Sequence, residues 1–421
     1  MAQQSVENVV VVGGGVIGAM CAWYLSQSGY QVTIVDRDKF GAACSHGNCG
    51  YVSPSHVLPL PQPGAVRGAV GDLFRSNSPL CIRLKWSPSL WAWLWKFSRR
   101  CNQKDMLDAA RGRSDLLQSS QDLFKQLVSK EQIECEWQEV GLLFVHLTKH
   151  HFEAYKTTNQ LITDHFGVSA EPIAGADLSD FEPALKDGLG GGWYYRDDCH
   201  LRPDMLMASL RKKLEGRGAR FIENMEVQKF VRDGQVCKAI SGNGQQVSAD
   251  AFVVASGAWS PFLNRELGCK FPIQPGKGYS LTMPRPKVVP KVPLIFEEHR
   301  VAITPMHTKY RIGSTMEFAG YDPTINKRRL QLLKDSASHY LREPYCAPVE
   351  EEWFGWRPMT WDGKPVIDRS PIMENVWVAA GHNMLGISMA TGTGKLVTEM
   401  ISGQQPHLDL NHYSLSRLKT G

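Results

Sequence analysis

Four residues near the start of the chain bring the first recognisable chemistry. Gly13, Gly15 and Gly18 stand in G-x-G-x-x-G spacing, with Val16 and Ile17 between the last two, and Asp36 follows about twenty residues later. Glycines at this spacing let the backbone approach a pyrophosphate, while the free N–H groups and dipole of a helix start favour its negative charge. An acid at the position of Asp36, with Arg37 beside it, is placed to accept hydrogen bonds from a ribose hydroxyl. The elements needed to hold these groups flank them. Val9 to Val12 is a β-branched run that reads as a strand buried on both faces. Ala19 to Ser28 reads as a helix stopped by Gly29, and Gln31 to Val35 as a second apolar strand. Strand, glycine turn, helix, strand and acid together bind an ADP moiety, without distinguishing FAD from NAD.

The 421 residues suffice for two domains, and 43% hydrophobic residues is ordinary for a globular protein. The net charge of +5 comes without a dense basic tract, which argues against a nucleic-acid partner. Ten cysteines without C-x-x-C spacing suggest neither a zinc site nor a disulfide framework. The first strand begins within eight residues of Met1, leaving no room for a signal peptide. These features predict a cytoplasmic location. No run has the length of a membrane-spanning helix, so membrane contact is expected to be peripheral, at the inner face of the cell membrane.

Further along, Lys39 to Tyr51 is dense in small residues, so that backbone can pass close to a flat ligand, with Ser45 and Asn48 as hydrogen-bonding groups. Four prolines between 54 and 64 predict a stiff, extended connector. Lys85 to Phe97 is the most aromatic stretch. Ser87 caps a helix there with Pro88 at its first position, and Trp91, Leu94 and Trp95 share a face near Lys96, Arg99 and Arg100. Such a helix either lies on a membrane surface or packs over a substrate domain. Residues 271–317 break into short alternating segments, predicting an antiparallel sheet. Gly355 to Ile367 reads as a tight loop. Val376 to Ala380 reads as a buried strand, running through Gly381 to Ser388 into a helix from about Thr393. This is a second strand–turn–helix at which N–H groups face an anion.

Five segments taken in order carry a family resemblance: Gly13-Gly14-Gly15-Val16-Ile17-Gly18, Ser45-x-x-Asn48-x-Gly50, Gly278-Tyr279-Ser280-Leu281-Thr282, Gly355-x-Arg357-Pro358-Met359-Thr360-x-Asp362-Gly363, and Gly381-His382-x-x-Leu385-Gly386. Over essentially its whole length the chain resembles FAD-dependent enzymes of the D-amino-acid oxidase superfamily, most closely bacterial D-amino-acid dehydrogenases. The resemblance implies an α/β fold: a Rossmann-like, glutathione-reductase-like FAD-binding domain (1–52, 193–262 and 353–421) and an α+β substrate domain on an antiparallel sheet (53–192 and 263–352). It implies FAD held by Gly13, Gly15, Gly18 and Asp36, with Val227 at the adenine, Ser45, Gly257 and Trp259 near the pyrophosphate and ribityl chain, Asn48 to Tyr51 passing the isoalloxazine, and Gly386, Ile387 and Ser388 at the flavin edge where negative charge develops.

Arg357 is implied as the grip on an amino-acid carboxylate, because a guanidinium presents a planar fork to two oxygens. The alternative is a structural arginine paired with Asp362. Tyr279 is implied as a second carboxylate or amine contact. His382 is either a pocket residue or a core histidine. The activity implied is oxidative deamination of a D-amino acid, with hydride passing from the α-carbon to flavin N5 and electrons then to a quinone or other carrier. Cys49, Trp361, Asn383 and Gly276 depart from the family pattern. Trp361 and Asn383 are expected near the pocket, which keeps glycine, sarcosine and the prolines open as substrates and an oxidase open as the activity. A flavin-bearing binding protein at a membrane surface is the non-enzymatic alternative.

Overall fold

The computed structural model of the chain describes residues 6–73, 80–82 and 87–418. The valine run forms the strand Asn8–Val12, whose last four side chains are at most 5% exposed. Burying each contributes about 1.5–3 kcal/mol. It lies inside a six-stranded sheet, between Ala251–Val254 and Gln31–Val35, in parallel register with both. Arg220–Ile222 extends one edge, and Val376–Ala380 with antiparallel Val366–Arg369 forms the other. Helices Val16–Gln27, Gln103–Glu131, Pro203–Gly216 and Ala390–Ile401 bury their apolar faces in one core against this sheet. Three antiparallel strands, Lys229–Asp233, Val236–Gly242 and Gln245–Ser248, share a core with its other face.

The second layer is a nine-stranded sheet among the described residues. Its order begins Glu351–Thr360, Ile273–Pro284, Lys309–Phe318, Val301–Pro305, Leu294–Phe296, and continues through Leu142–His146, Gly191–Tyr195 and Glu171–Ala174. Most of its pairs are antiparallel, as the alternating pattern of 271–317 predicts; Leu294–Phe296 with Leu142–His146, and Leu80–Ile82 with Lys309–Phe318, are parallel. Helix Lys327–Ser338 closes its core.

Several expectations change. The segment read as a loop from Gly355 is mostly strand, since Glu351–Thr360 pairs along its whole length with Ile273–Pro284. That strand and Gly191–Tyr195 pair within the nine-stranded sheet, across the boundaries read at 353 and 193. Helix Gln103–Glu131, placed with the substrate domain, packs in the core of the first sheet. Helices Val16–Gln27 and Ala390–Ile401 each begin three residues earlier than read.

The aromatic helix is Pro88–Arg99, with the Ser87 hydroxyl accepting from the Leu90 N–H. Lys85 and Trp86 lie outside the described residues. Its inward face is Leu90 and Trp93; Trp93 stacks on Phe97 and donates to the Pro272 carbonyl at 2.9 Å. Trp91 and Trp95 point outward, at 44% and 55% exposure, while Leu94 is half-buried. Trp361 lies against this helix under the Lys96 and Arg100 cations, not at the expected pocket.

The proline-rich segment is not an extended spacer. It turns repeatedly, and Ser53, Pro54, Ser55, Val57, Pro59 and Pro61 are buried. Prolines leave the surrounding carbonyls without strand partners, and one buried cation answers them. Arg113, 4% exposed, donates to the carbonyls of His56, Val57 and Leu58 at 2.8–3.1 Å and to that of Gly363 at 3.1 Å. Burial pushes its pKa down to about 10, so it stays charged at neutral pH. Arg113→Met, which keeps the aliphatic bulk, is expected to cost about 3–5 kcal/mol by leaving four carbonyls without their charged donor. Thermal unfolding followed by circular dichroism would show this as a lowered midpoint, and an unchanged midpoint would refute the clamp.

Candidate active site

A groove runs across the C-terminal ends of the central strands of the six-stranded sheet, where open α/β sheets bind their ligands. The glycine turn forms its floor. A Cβ on Gly13 (φ +111°) would lie 2.5 Å from the Ala255 oxygen, and one on Gly18 would lie 1.8 Å from the Gly13 oxygen. The turn is therefore packed tight from behind. In front it is open, since a Cβ on Gly15 would meet nothing nearer than Ser45 Oγ at 3.7 Å. The Val16 N–H, first of the helix, donates to that Ser45 oxygen at 3.0 Å, which lets the helix start earlier than its apolar pattern suggests. At the other end, the Asp36 carboxylate accepts from the N–H groups of Gly14 at 2.5 Å and Asp38 at 2.8 Å. Burial raises its pKa in spite of these bonds. Arg37 lies over the Trp259 ring at 5.1 Å. A backbone-walled cradle with a helix N-terminus, an acid and apolar Val227 beyond it fits a dinucleotide.

The groove meets a cavity of about 350 Å³ beneath the nine-stranded sheet, and Cys44, Asn48, Arg357 and Met384 line both. Arg357 stands on the strand Glu351–Thr360 opposite Gly276. Its guanidinium covers Gly278 of the neighbouring strand, where a Cβ would lie 2.4 Å from Arg357 Cζ. Only glycine leaves that seat open. The guanidinium is half-buried, and loss of bulk water pushes its pKa below the usual value. Its one hydrogen bond among the described residues goes to the Thr315 carbonyl at 2.6 Å, and no carboxylate pairs with it. The proposed partner Asp362 is bound instead to Arg417 at 2.8 Å. The Thr315 carbonyl is aimed by a distortion of its strand: Ser314 and Thr315 take φ of 110° and 52°, at a register shift against Lys277–Tyr279. Thr315 Oγ1 is buried there without a hydrogen-bond partner among the described residues.

The small-residue loop between groove and cavity is fastened to the second sheet. Arg311 donates to the carbonyls of Asn48 (2.7 Å) and His46 (3.2 Å), Ser280 to Gly47 (2.9 Å), and Thr304 to Cys49 (2.7 Å). Residues 8–400 match the profile of the family described as FAD dependent oxidoreductase. The chain belongs to that family. Its cofactor is FAD. The chain is 30% identical over 417 residues to the D-amino acid dehydrogenase of Paramagnetospirillum magneticum, covering 97% of this chain and 98% of that protein. In fold it resembles glycine oxidase from Geobacillus kaustophilus (TM-score 0.79, 22% identity, 98% and 99% of the two chains). It also resembles L-proline dehydrogenase from P. horikoshii (TM-score 0.73, 19% identity, 100% and 99%). The α/β flavoenzyme architecture read from the sequence is thereby shown.

The groove gathers Gly13, Gly15, Val16, Ile17, Asp36, Arg37, Ser45, Asn48, Val227, Gly257, Trp259, Gly386 and Ile387, residues from every segment expected to hold FAD. Tyr51, Leu385 and Ser388 line the cavity instead, and the Tyr51 hydroxyl donates to the carbonyls of Leu294 and Ile303 in the second sheet. Gly18, Gly50 and Gly381 line neither space; a Cβ on Gly50 would lie 1.9 Å from the Leu201 oxygen, and one on Gly381 2.6 Å from Thr360 Cγ2. Tyr279 lines the cavity, with its hydroxyl donating to Glu317 at 2.5 Å.

His382 lines the groove but is 2% exposed and bonded through Nε2 to Thr393 Oγ1 at 3.0 Å. Burial lowers its pKa to about 3, so the ring is neutral near pH 7. Asn383 (φ +54°) lines the groove, as expected, with its side chain held in place: it accepts from the Thr360 N–H at 2.9 Å and donates to the Gly381 carbonyl. Cys44, Met384 and the Thr315 carbonyl were not anticipated; Cys44 sat in the small-residue loop that pointed toward the ligand. Replacing Gly13 by Ala is expected to weaken FAD retention about tenfold or more, through positive-φ strain and the clash with Ala255. Flavin absorbance of the purified protein checks this, with Gly216→Ala, which meets open space, as the control that keeps its flavin.

Proposed function

We propose that the protein catalyses oxidative deamination of D-amino acids, with electrons leaving to a quinone or another carrier. The observation that carries this reading is Arg357, a guanidinium without a counter-ion among the described residues, where the cofactor groove opens into the cavity. An anionic substrate group completes it, and a planar fork suits a carboxylate. Similarity to a D-amino acid dehydrogenase along nearly the whole chain supports the stereochemistry.

Bound FAD supplies the two-electron acceptor. The protein's part is positioning. Arg357 fixes the carboxylate, the Gly278 seat and the Thr315 carbonyl fix Arg357, and the loop at Cys44–Asn48 sets the join between groove and cavity. His382 holds Thr393, near the start of the helix Ala390–Ile401, whose positive end adjoins Gly386 and Ile387. Bonded to Thr393, His382 serves in placement. The departure at Trp361 bears little on substrate choice, because that ring lies outside groove and cavity; Asn383 lines the groove, with its amide held by Thr360 and Gly381. Glycine and L-proline, named for the structural relatives, are the competing substrates; the cavity of about 350 Å³ leaves room beyond glycine.

Among the described residues no helix is long and apolar enough to cross a membrane. The outward Trp91 and Trp95, with Arg99 over the Trp95 ring at 5.1 Å, support peripheral contact with an anionic lipid surface, where a quinone would be met.

Anaerobic mixing with D-amino acids, L-amino acids, glycine, sarcosine and proline should bleach the flavin with D-amino acids first. Bleaching by glycine, sarcosine or L-proline alone would overturn the reading. Arg357→Ala is expected to raise KM at least about a hundredfold with flavin retained, and Gly278→Ala to do the same more mildly by displacing the guanidinium. Retained KM in both would remove Arg357 from the substrate. Co-sedimentation with phosphatidylglycerol vesicles should fall in Trp91→Ser/Trp95→Ser; undiminished binding would refute the lipid contact.

A further inference from the structure

The cavity holds a second charged group that the carboxylate grip leaves unused. Glu297 follows the strand Leu294–Phe296, and Arg300 closes the turn before Val301–Pro305; both side chains line the cavity. The Glu297 carboxylate makes no hydrogen bond or ion pair among the described residues, and the residue is half-buried. It is an acid that faces the cavity with no such partner among the described residues. Removal from bulk water pushes its pKa up to about 7; the Arg300 charge pulls it down and the Glu298 charge adds to the rise. An ionised carboxylate in such a place is relieved by a cation.

Strand order gives the spacing. The strand that carries Arg357 and the strand that Glu297 directly follows are four places apart in the sheet, about 19 Å between backbones at about 4.8 Å per step. Leu58, Leu60, Ile295 and Met316 line the cavity with them. Polar Ser53, His56 and Gln62 line it too, so the passage is only partly apolar. A guanidinium, such a passage and a carboxylate match an extended molecule with an anionic end, several methylenes and a cationic end. Glycine spans no such distance.

We propose that Glu297 forms a side-chain subsite that receives the ammonium or guanidinium terminus of a basic amino acid whose α-carboxylate lies on Arg357. This rests on the reading of the cavity as an amino-acid site. Arg300 forms no ion pair with Glu297 among the described residues, and its charge tempers the subsite's preference for a cation.

The test compares D-lysine with D-norleucine, which keeps the carbon chain and lacks the terminal amine, on the FAD-loaded enzyme. The ratio of their kcat/KM values is expected to favour D-lysine and to fall about tenfold in Glu297→Gln, chiefly through KM. Glu297→Asp should retain part of the preference, and Arg300→Ala should increase it. Flavin absorbance confirms that each variant is loaded and folded. A ratio unchanged in Glu297→Gln, with both substrates still reducing the flavin, would overturn the subsite and leave the D-amino-acid reading intact. Reduction by neither substrate, with glycine or sarcosine active, would overturn that reading and the subsite with it.

Discussion

A guanidinium drawn out of bulk water, with a single carbonyl for a partner among the described residues, is costly to keep, and much of the surrounding structure serves to keep it. Arg357 has its seat on a glycine of the adjacent strand, and that strand's neighbour is distorted through two left-handed residues to bring the Thr315 oxygen within 2.6 Å. Such backbone strain costs about 1–3 kcal/mol per residue and persists only where packing over-determines it. Here the over-determination is visible. Ile273–Pro284 pairs on one side with the Arg357 strand and on the other with the Thr315 strand, so neither can shift alone. An anion completes an arrangement that the protein alone leaves electrostatically open.

The second constraint is the loop Cys44–Tyr51. It is chemically part of the cofactor groove and mechanically part of the other sheet, because Arg311, Ser280 and Thr304 hold its carbonyls. Ser45 faces the other way and takes the first N–H of the Val16–Gln27 helix. The depth of the groove and the roof of the cavity are thus fixed by one short segment bonded on both sides.

Much of this was legible in the sequence, for reasons that can be named. A run of valines ending in spaced glycines has few foldings other than a buried strand and a backbone-lined turn, and the residues around Gly13 and Asp36 line the groove accordingly. The Arg357 strand was hidden by its own composition. Gly355, Pro358 and Gly363 read as loop punctuation, yet the strand lies at the end of the sheet order, where a proline is tolerated because one row of hydrogen bonds is missing anyway. The pairing of Asp362 with Arg417 joins residues 55 apart and removes Asp362 from contention as the partner of Arg357, which no local pattern could reveal. His382, Asn383 and Trp361 carried strong local signals and are all absorbed by internal contacts: hydrogen bonds for the first two, stacked cations for the third.

Arg113 holds the cavity's proline-rich wall by its carbonyl oxygens and not by its side chains. Every amino acid presents the same carbonyl, so the clamp is indifferent to what residues 56–58 are. The clamp therefore does not dictate the cavity-lining side chains of His56 and Leu58, whereas Val57, fully buried in the core of the first sheet, is held by packing as well. In an evolving lineage this separates two properties that active sites usually entangle: the fold that keeps the wall in place, and the surface by which the wall selects what enters. At His56 and Leu58 a change of side chain leaves untouched the bonds that hold the backbone.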